Sequence, residues 1–150
     1  MSQSLVKNYL HIIFSTKNRE PLIQEKFESE LYHYLGGICN KLECYPVKIG
    51  GWLDHIHMLC LLSKKITLIK LLEEVKSHSS KWMKTKDESL GNFYWQDGYG
   101  AFSVNPSELN QVSHYIKNQK QHHQTETFQT EYLSLLKKYQ VEYDERYVWA

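Results

Sequence analysis

Residues 9–15 (Tyr-Leu-His-Ile-Ile-Phe-Ser) form a short β-branched and aromatic run that stops at the polar stretch 16–20 and at Pro21, a pattern that predicts a strand. Over residues 23–42 the period changes. Phe27, Leu31, Leu35, Ile38 and Leu42 recur at intervals of three and four, which places them on one helical stripe. Gly36 and Gly37 fall in its last turns, where they permit close packing on a sheet. Residues 47–49 and 55–62 read as two strands of a hairpin, with Gly50, Gly51 and Asp54 as the turn. Thr67 can cap a second helix, reaching about Thr85, that carries Leu68, Leu71, Leu72, Val75, Ser79, Trp82 and Met83 on its buried side. A polar loop occupies 84–91.

Residues 93–95 and 100–104 are aromatic and extended, interrupted by Asp97-Gly98, and predict a further strand with an irregular approach. Asn105-Pro106-Ser107-Glu108 is a helix start, with Asn as N-cap, Pro at the first helical position and Glu completing a capping box. This helix is expected to run to about Gln121. A last helix carries Phe128, Tyr132, Leu135 and Tyr139 on one stripe. The tail after it, with Tyr143, Tyr147 and Trp149, is aromatic enough to pack on the domain or on a second copy. Strand, helix, strand, strand, helix, strand is the order of an α+β domain: a ferredoxin-like (RRM-like) antiparallel sheet with helices packed on it and extra C-terminal helices. With 150 residues and 41% hydrophobic content, the chain is read as one domain, 1–150.

Charge changes this picture little. Lys plus Arg is 18 against 17 Asp plus Glu, so any nucleic-acid contact must be a local patch rather than a basic surface. Three cysteines without a CxxC spacing point to a reduced, cytoplasmic protein. The chain shows neither a signal-peptide pattern nor an apolar run long enough to span a membrane.

Two constellations carry candidate chemistry. His55 and His57 lie two apart on a strand, so both imidazoles share a face and can be offered to one metal ion, while Ile56, Met58 and Cys60 face the core. Taken alone, two histidines at a strand end are more often just hydrogen-bonded polar groups. Tyr115 and Gln119 lie one helical turn apart, on the margin of the stripe made by Leu109, Val112 and Ile116. A tyrosine there is ordinarily a half-buried aromatic, and the chain has 11 of them. Together, however, two imidazoles and an amide oxygen suit a divalent ion that polarises a phosphodiester, beside a phenol able to attack phosphorus.

These segments resemble the single-tyrosine HUH transposases of small bacterial insertion sequences. The resemblance rests on His11-Ile12-Ile13-Phe14, Asp54-His55-Ile56-His57-Met58-Leu59, Lys76-Ser77-His78-Ser79-Ser80-Lys81 and Tyr115-Ile116-Lys117-Asn118-Gln119. It implies that His55, His57 and Gln119 bind Mg²⁺ or Mn²⁺ and that Tyr115 becomes joined to a 5′ phosphate of single-stranded DNA with hairpin ends. It also implies a homodimer whose active sites are shared between subunits.

Around these, His11 is a candidate to hydrogen-bond a ligand. His122 or His123 could reach the same site, though two polar residues near a helix end is the preferred reading. Lys76, Ser79, Ser80, Lys81 and Lys84, with Lys86, are candidate phosphate contacts, and Lys17 and Arg19 weaker ones. Two other functions use parts of the same pattern. One is a nucleic-acid-binding module without catalysis, and the other is a metal-dependent phosphodiesterase that activates water.

Overall fold

The computed structural model describes residues 2–150. Four strands, β1 (Tyr9–Ser15), β2 (Pro46–Trp52), β3 (His55–Leu61) and β4 (Gly100–Val104), form one sheet in the order β2-β3-β1-β4, every neighbouring pair antiparallel. β1 and β3 are the inner strands, which is why both of their faces are apolar or buried. Register puts His57 between Ile13 and Gly50, and His55 between Ser15 and Trp52. His11 faces Leu59 and Phe102, so the three imidazoles lie on one face of the sheet.

The opposite face carries Ile12, Phe14, Ile56, Met58 and Cys60 and is covered by α1 (Glu25–Lys41) and α2 (Leu68–Lys84). Their buried stripes, Leu31, Leu35 and Cys39 on α1 and Leu71, Leu72, Val75 and Met83 on α2, close the main core. Thr67 caps α2 by accepting the Lys70 amide at 3.2 Å. All three cysteines are buried and unpaired.

The histidine face is covered by a second helical layer: α3 (Leu109–Lys117), α4 (Gln119–His122) and α5 (Phe128–Lys138). Ile116 of α3 packs with Leu59 and Val104, and Phe128, Tyr132 and Leu136 of α5 pack with Ile13 and Phe102. Two glycines give these helices room. A Cβ on Gly50 would stand 2.9 Å from the Ile116 carbonyl oxygen, and one on Gly100 would stand 2.7 Å from the Tyr132 ring. Gly50 and Gly51 are therefore strand residues of β2, and the expectation that they form the turn is corrected. Gly36 does not serve close packing either, since an added Cβ would meet nothing nearer than 3.8 Å.

Two further expectations change. Of residues 93–95 only Trp95 pairs, in an isolated bridge to Thr16, because Phe93 and Trp95 turn into the core instead of extending β4. The helix expected as one piece to Gln121 opens with a tight turn, Pro106–Glu108, in which Asn105 accepts the Ser107 amide, and it breaks at Asn118. In the tail, Val148 and Trp149 pack on the α5 cluster and Arg19 donates to the Trp149 carbonyl at 3.1 Å, while Tyr143 and Tyr147 stay exposed. No helix of the described residues is long and apolar enough to cross a membrane.

Candidate active site

His55 and His57 are fully buried between the sheet and the second helical layer. Each is held from behind through Nδ1. His55 Nδ1 lies 2.7 Å from Asp54 Oδ1, and His57 Nδ1 lies 2.8 Å from His11 Nε2. Both Nε2 atoms consequently point at α4 and α5. His55 Nε2 is 2.9 Å from Gln119 Oε1, and His57 Nε2 is 3.0 Å from Glu131 Oε1.

The helices supply the rest. Ile116 anchors α3 on the sheet, which leaves Tyr115 at the edge of the contact with its hydroxyl donating to Glu131 Oε2 in a short hydrogen bond. The Gln119 amide nitrogen donates to the same oxygen at 3.0 Å. His123, one turn beyond Gln119, brings Nε2 to 2.8 Å from Gln119 Oε1 and 3.1 Å from Glu131 Oε1, while its Nδ1 contacts the Glu126 carbonyl at 2.7 Å. His122 lies at the rim, with Nε2 2.9 Å from Glu126 Oε2 and 3.3 Å from Glu131 Oε2.

Glu131 is the charge at the centre. Burial by itself would raise its pKa, but His57, His123 and His55 around it more than reverse that and hold the carboxyl well below the usual range. Burial lowers His57, and it lowers His11 to about 3, so His11 is neutral at ordinary pH. Burial also pulls His123 down, yet its bond to Glu131 outweighs this and leaves its pKa raised. Burial, followed by the Glu131 charge, pushes the Tyr115 phenol above its ordinary value. A phenol in this setting is protonated and needs a neighbouring positive charge to become a nucleophile.

Donor atoms of His55, His57, His123 and Glu131 all lie within 4.8 Å of one another. Nitrogen and carboxylate donors converging in a buried pocket, with imidazoles braced from behind, fit a divalent cation.

Of the residues singled out from sequence, His55, His57, Tyr115, Gln119 and His11 come together here. His122 reaches only the edge, and His123, read as an ordinary polar residue, stands inside. Glu131 was missed altogether. Its signal is a lone carboxylate on the α5 stripe, three residues after Phe128 and four before Leu135.

The basic run on α2 lies elsewhere, and much of it is engaged internally. Lys76 donates to the carbonyls of Gln96, Asp97 and Gly98 at 2.9, 3.1 and 2.7 Å; burial lowers its pKa to about 8, so it stays charged at neutral pH. Ser79 is fully buried, bonded to the Val75 carbonyl and to the Trp95 indole. Ser80 and Lys84 both donate to the Phe93 carbonyl, and Lys84 sits 4.0 Å over the Tyr94 ring. These side chains pin segment 93–98 to α2. Lys81 alone of the five is exposed.

Residues 4–119 match the family described as IS200-like transposases. No curated protein matches the chain. Solved structures share its fold, two of them as follows. A candidate transposase from Deinococcus radiodurans R1 has a TM-score of 0.61 at 21% identity, over 79% of this chain and 96% of that one. A REP-associated tyrosine transposase bound to a REP hairpin has a TM-score of 0.60 at 16% identity, over 82% of this chain and 74% of that one. The family match ends at Gln119, short of His123 and Glu131.

Proposed function

The chain belongs to the IS200-like transposase family, and on that premise we propose that it cuts and rejoins single-stranded DNA through a covalent bond to Tyr115. The observation that carries this reading is the connected set around Glu131, in which the Tyr115 hydroxyl lies within one carboxylate of His57 and of Gln119, itself bonded to His55. His55, His57 and Gln119 would hold Mg²⁺ or Mn²⁺, and a bound divalent ion would polarise the phosphodiester. Tyr115 Oη attacks phosphorus as its proton passes to Glu131 Oε2, the oxygen that accepts its hydrogen bond, and from there to solvent. The bond from phosphorus to the 3′ oxygen breaks, and that oxygen keeps the electron pair and takes up a proton from solvent. The 5′ phosphate stays on Tyr115, and a second 3′ hydroxyl reverses the step to rejoin the strand. His11 and Asp54 act by fixing the imidazole orientations.

The substrate in this reading is single-stranded DNA with hairpin ends; the REP-associated neighbour is bound to a REP hairpin, which supports the hairpin part. Exposed Lys81 and Lys17 are its candidate phosphate contacts. Two copies of the chain pair on the DNA.

The test is Tyr115→Phe, which keeps the ring that packs near Ile116 and removes the attacking oxygen. Hairpin binding is expected to persist, while strand cleavage and the protein–DNA adduct on a denaturing gel both disappear. Cleavage that persists without an adduct would point to water as nucleophile. A wild-type protein that binds but never cleaves would leave only a binding module.

A further inference from the structure

We propose that His123 and Glu131 are direct ligands of the metal site, joining His55, His57 and Gln119 in a centre of three imidazoles, one carboxylate and one amide oxygen. Such a centre selects a first-row transition cation over Mg²⁺. The inference rests on the metal site of the preceding section and extends it to residues beyond the family match.

Proton positions carry the argument. The Glu126 carbonyl and the Asp54 carboxylate can only accept, so Nδ1 of His123 and Nδ1 of His55 bear the hydrogens. In the neutral rings, the form that binds a metal, their Nε2 atoms then present lone pairs inward. The Gln119 amide is oriented by its nitrogen, which donates to Glu131 Oε2, so its oxygen faces both of those Nε2 atoms, at 2.9 and 2.8 Å. Glu131 Oε1 adds another acceptor, 3.4, 3.0 and 3.1 Å from Nε2 of His55, His57 and His123. Electron pairs thus outnumber hydrogens at the centre of a buried pocket. Protonating every ring would place several imidazolium charges against one carboxylate, whereas a single divalent cation satisfies all the lone pairs at once.

The spacing agrees. Ligand atoms about 2.1 Å from a shared four- or five-coordinate ion stand roughly 3.0–3.6 Å apart, close to the separations just given. The three histidines are also built alike, each with its outer nitrogen tied to a fixed partner: Asp54, His11 or the Glu126 carbonyl. Mg²⁺ prefers oxygen and water in octahedral array, while imidazole suits Mn²⁺, Co²⁺ and Zn²⁺ increasingly well.

The experiment titrates the full chain, without DNA, with Mn²⁺, Co²⁺, Zn²⁺ and Mg²⁺ by calorimetry and reads the visible absorption of the Co²⁺ complex. Glu131→Gln is nearly isosteric and His123→Asn changes the C-cap residue of α4, on a different element, so loss of fold in one, checked by circular dichroism, leaves the other readable. Each is expected to weaken Co²⁺ binding at least about tenfold and to alter the absorption band. His55→Asn and His57→Asn should do the same, and Mg²⁺ should bind far more weakly than Co²⁺. If the two strand histidines matter while Glu131→Gln and His123→Asn bind like the wild type, the inference is overturned and the two-histidine site stands. Mg²⁺ binding as tight as Co²⁺ would overturn the selectivity. A wild-type chain that binds none of the four ions would sink both this inference and the metal reading beneath it.

Discussion

His11 contributes no ligand atom to the candidate site, but it sets the angle of one that does, and its burial has a measurable cost. The imidazole is 2% exposed and meets His57 at 2.8 Å, with the Phe102 and Tyr115 rings against its edges. Its pKa drops from 6.5 to about 3 because burial opposes the charged form. Between those values the unfolded chain holds the proton and the folded chain does not, so stability rises with pH across the window. Stability credited to neutral His11 is therefore present above about pH 6.5 and lost as the pH falls toward 3. The metal-free protein is expected to melt at progressively lower temperature from pH 6.5 downward. In His11→Asn, which cannot titrate there, the slope should be shallower, and an unchanged slope would count against a neutral buried His11. The signal for such a residue is faint in sequence: a histidine in a strand reads the same whether it braces a ligand or merely fills the face.

At the scale of elements, clearance decides whether α3 can deliver Tyr115. β2 runs beneath α3, and only a hydrogen at Gly50 allows the Ile116 carbonyl to approach as it does. Gly50→Ala should push α3 off the sheet, at a cost of about 1–3 kcal/mol as an overpacked contact, and should displace Tyr115 and Gln119 together. Thermal melting would show the first effect and adduct formation the second. A Gly50→Ala protein with unchanged melting and full adduct yield would mean that α3 does not rest on β2 as described. On the opposite face of the sheet, α2 teaches the reverse lesson about residue type. Its run of lysines and serines resembles a phosphate-binding patch, yet Lys76, Ser79, Ser80 and Lys84 spend their hydrogen bonds on the backbone of 93–98 and on Trp95. A charge pattern along a helix cannot say whether a carbonyl-rich loop will fold across it.

For the whole molecule, the central question is whether one chain suffices. The family resemblance implies that Tyr115 acts on a partner's histidines, but the Tyr115 hydroxyl here lies beside Glu131 and His57 of its own chain. A tyrosine that serves its own chain and one that is exchanged between copies are told apart by mixing two variants. His57→Ala and Tyr115→Phe proteins, each inactive, should stay inactive when mixed and allowed to pair, as judged by adduct on a denaturing gel. Recovery of adduct would show instead that the tyrosine helix is exchanged between copies. Sequence by itself determined the order of the strands and main helices and the strand face that carries His55 and His57, because these follow from the two-residue period of a strand and the 3.6-residue period of a helix; Tyr115 and Gln119 meet the same carboxylate although the helix breaks between them at Asn118. Tertiary structure alone decided that α5 crosses the same face of the sheet, bringing Glu131 to residues 74 and 16 positions away in the chain. No local period encodes that meeting, since it depends on two glycines giving clearance on β2 and β4 and on apolar stripes choosing which face of the sheet to cover.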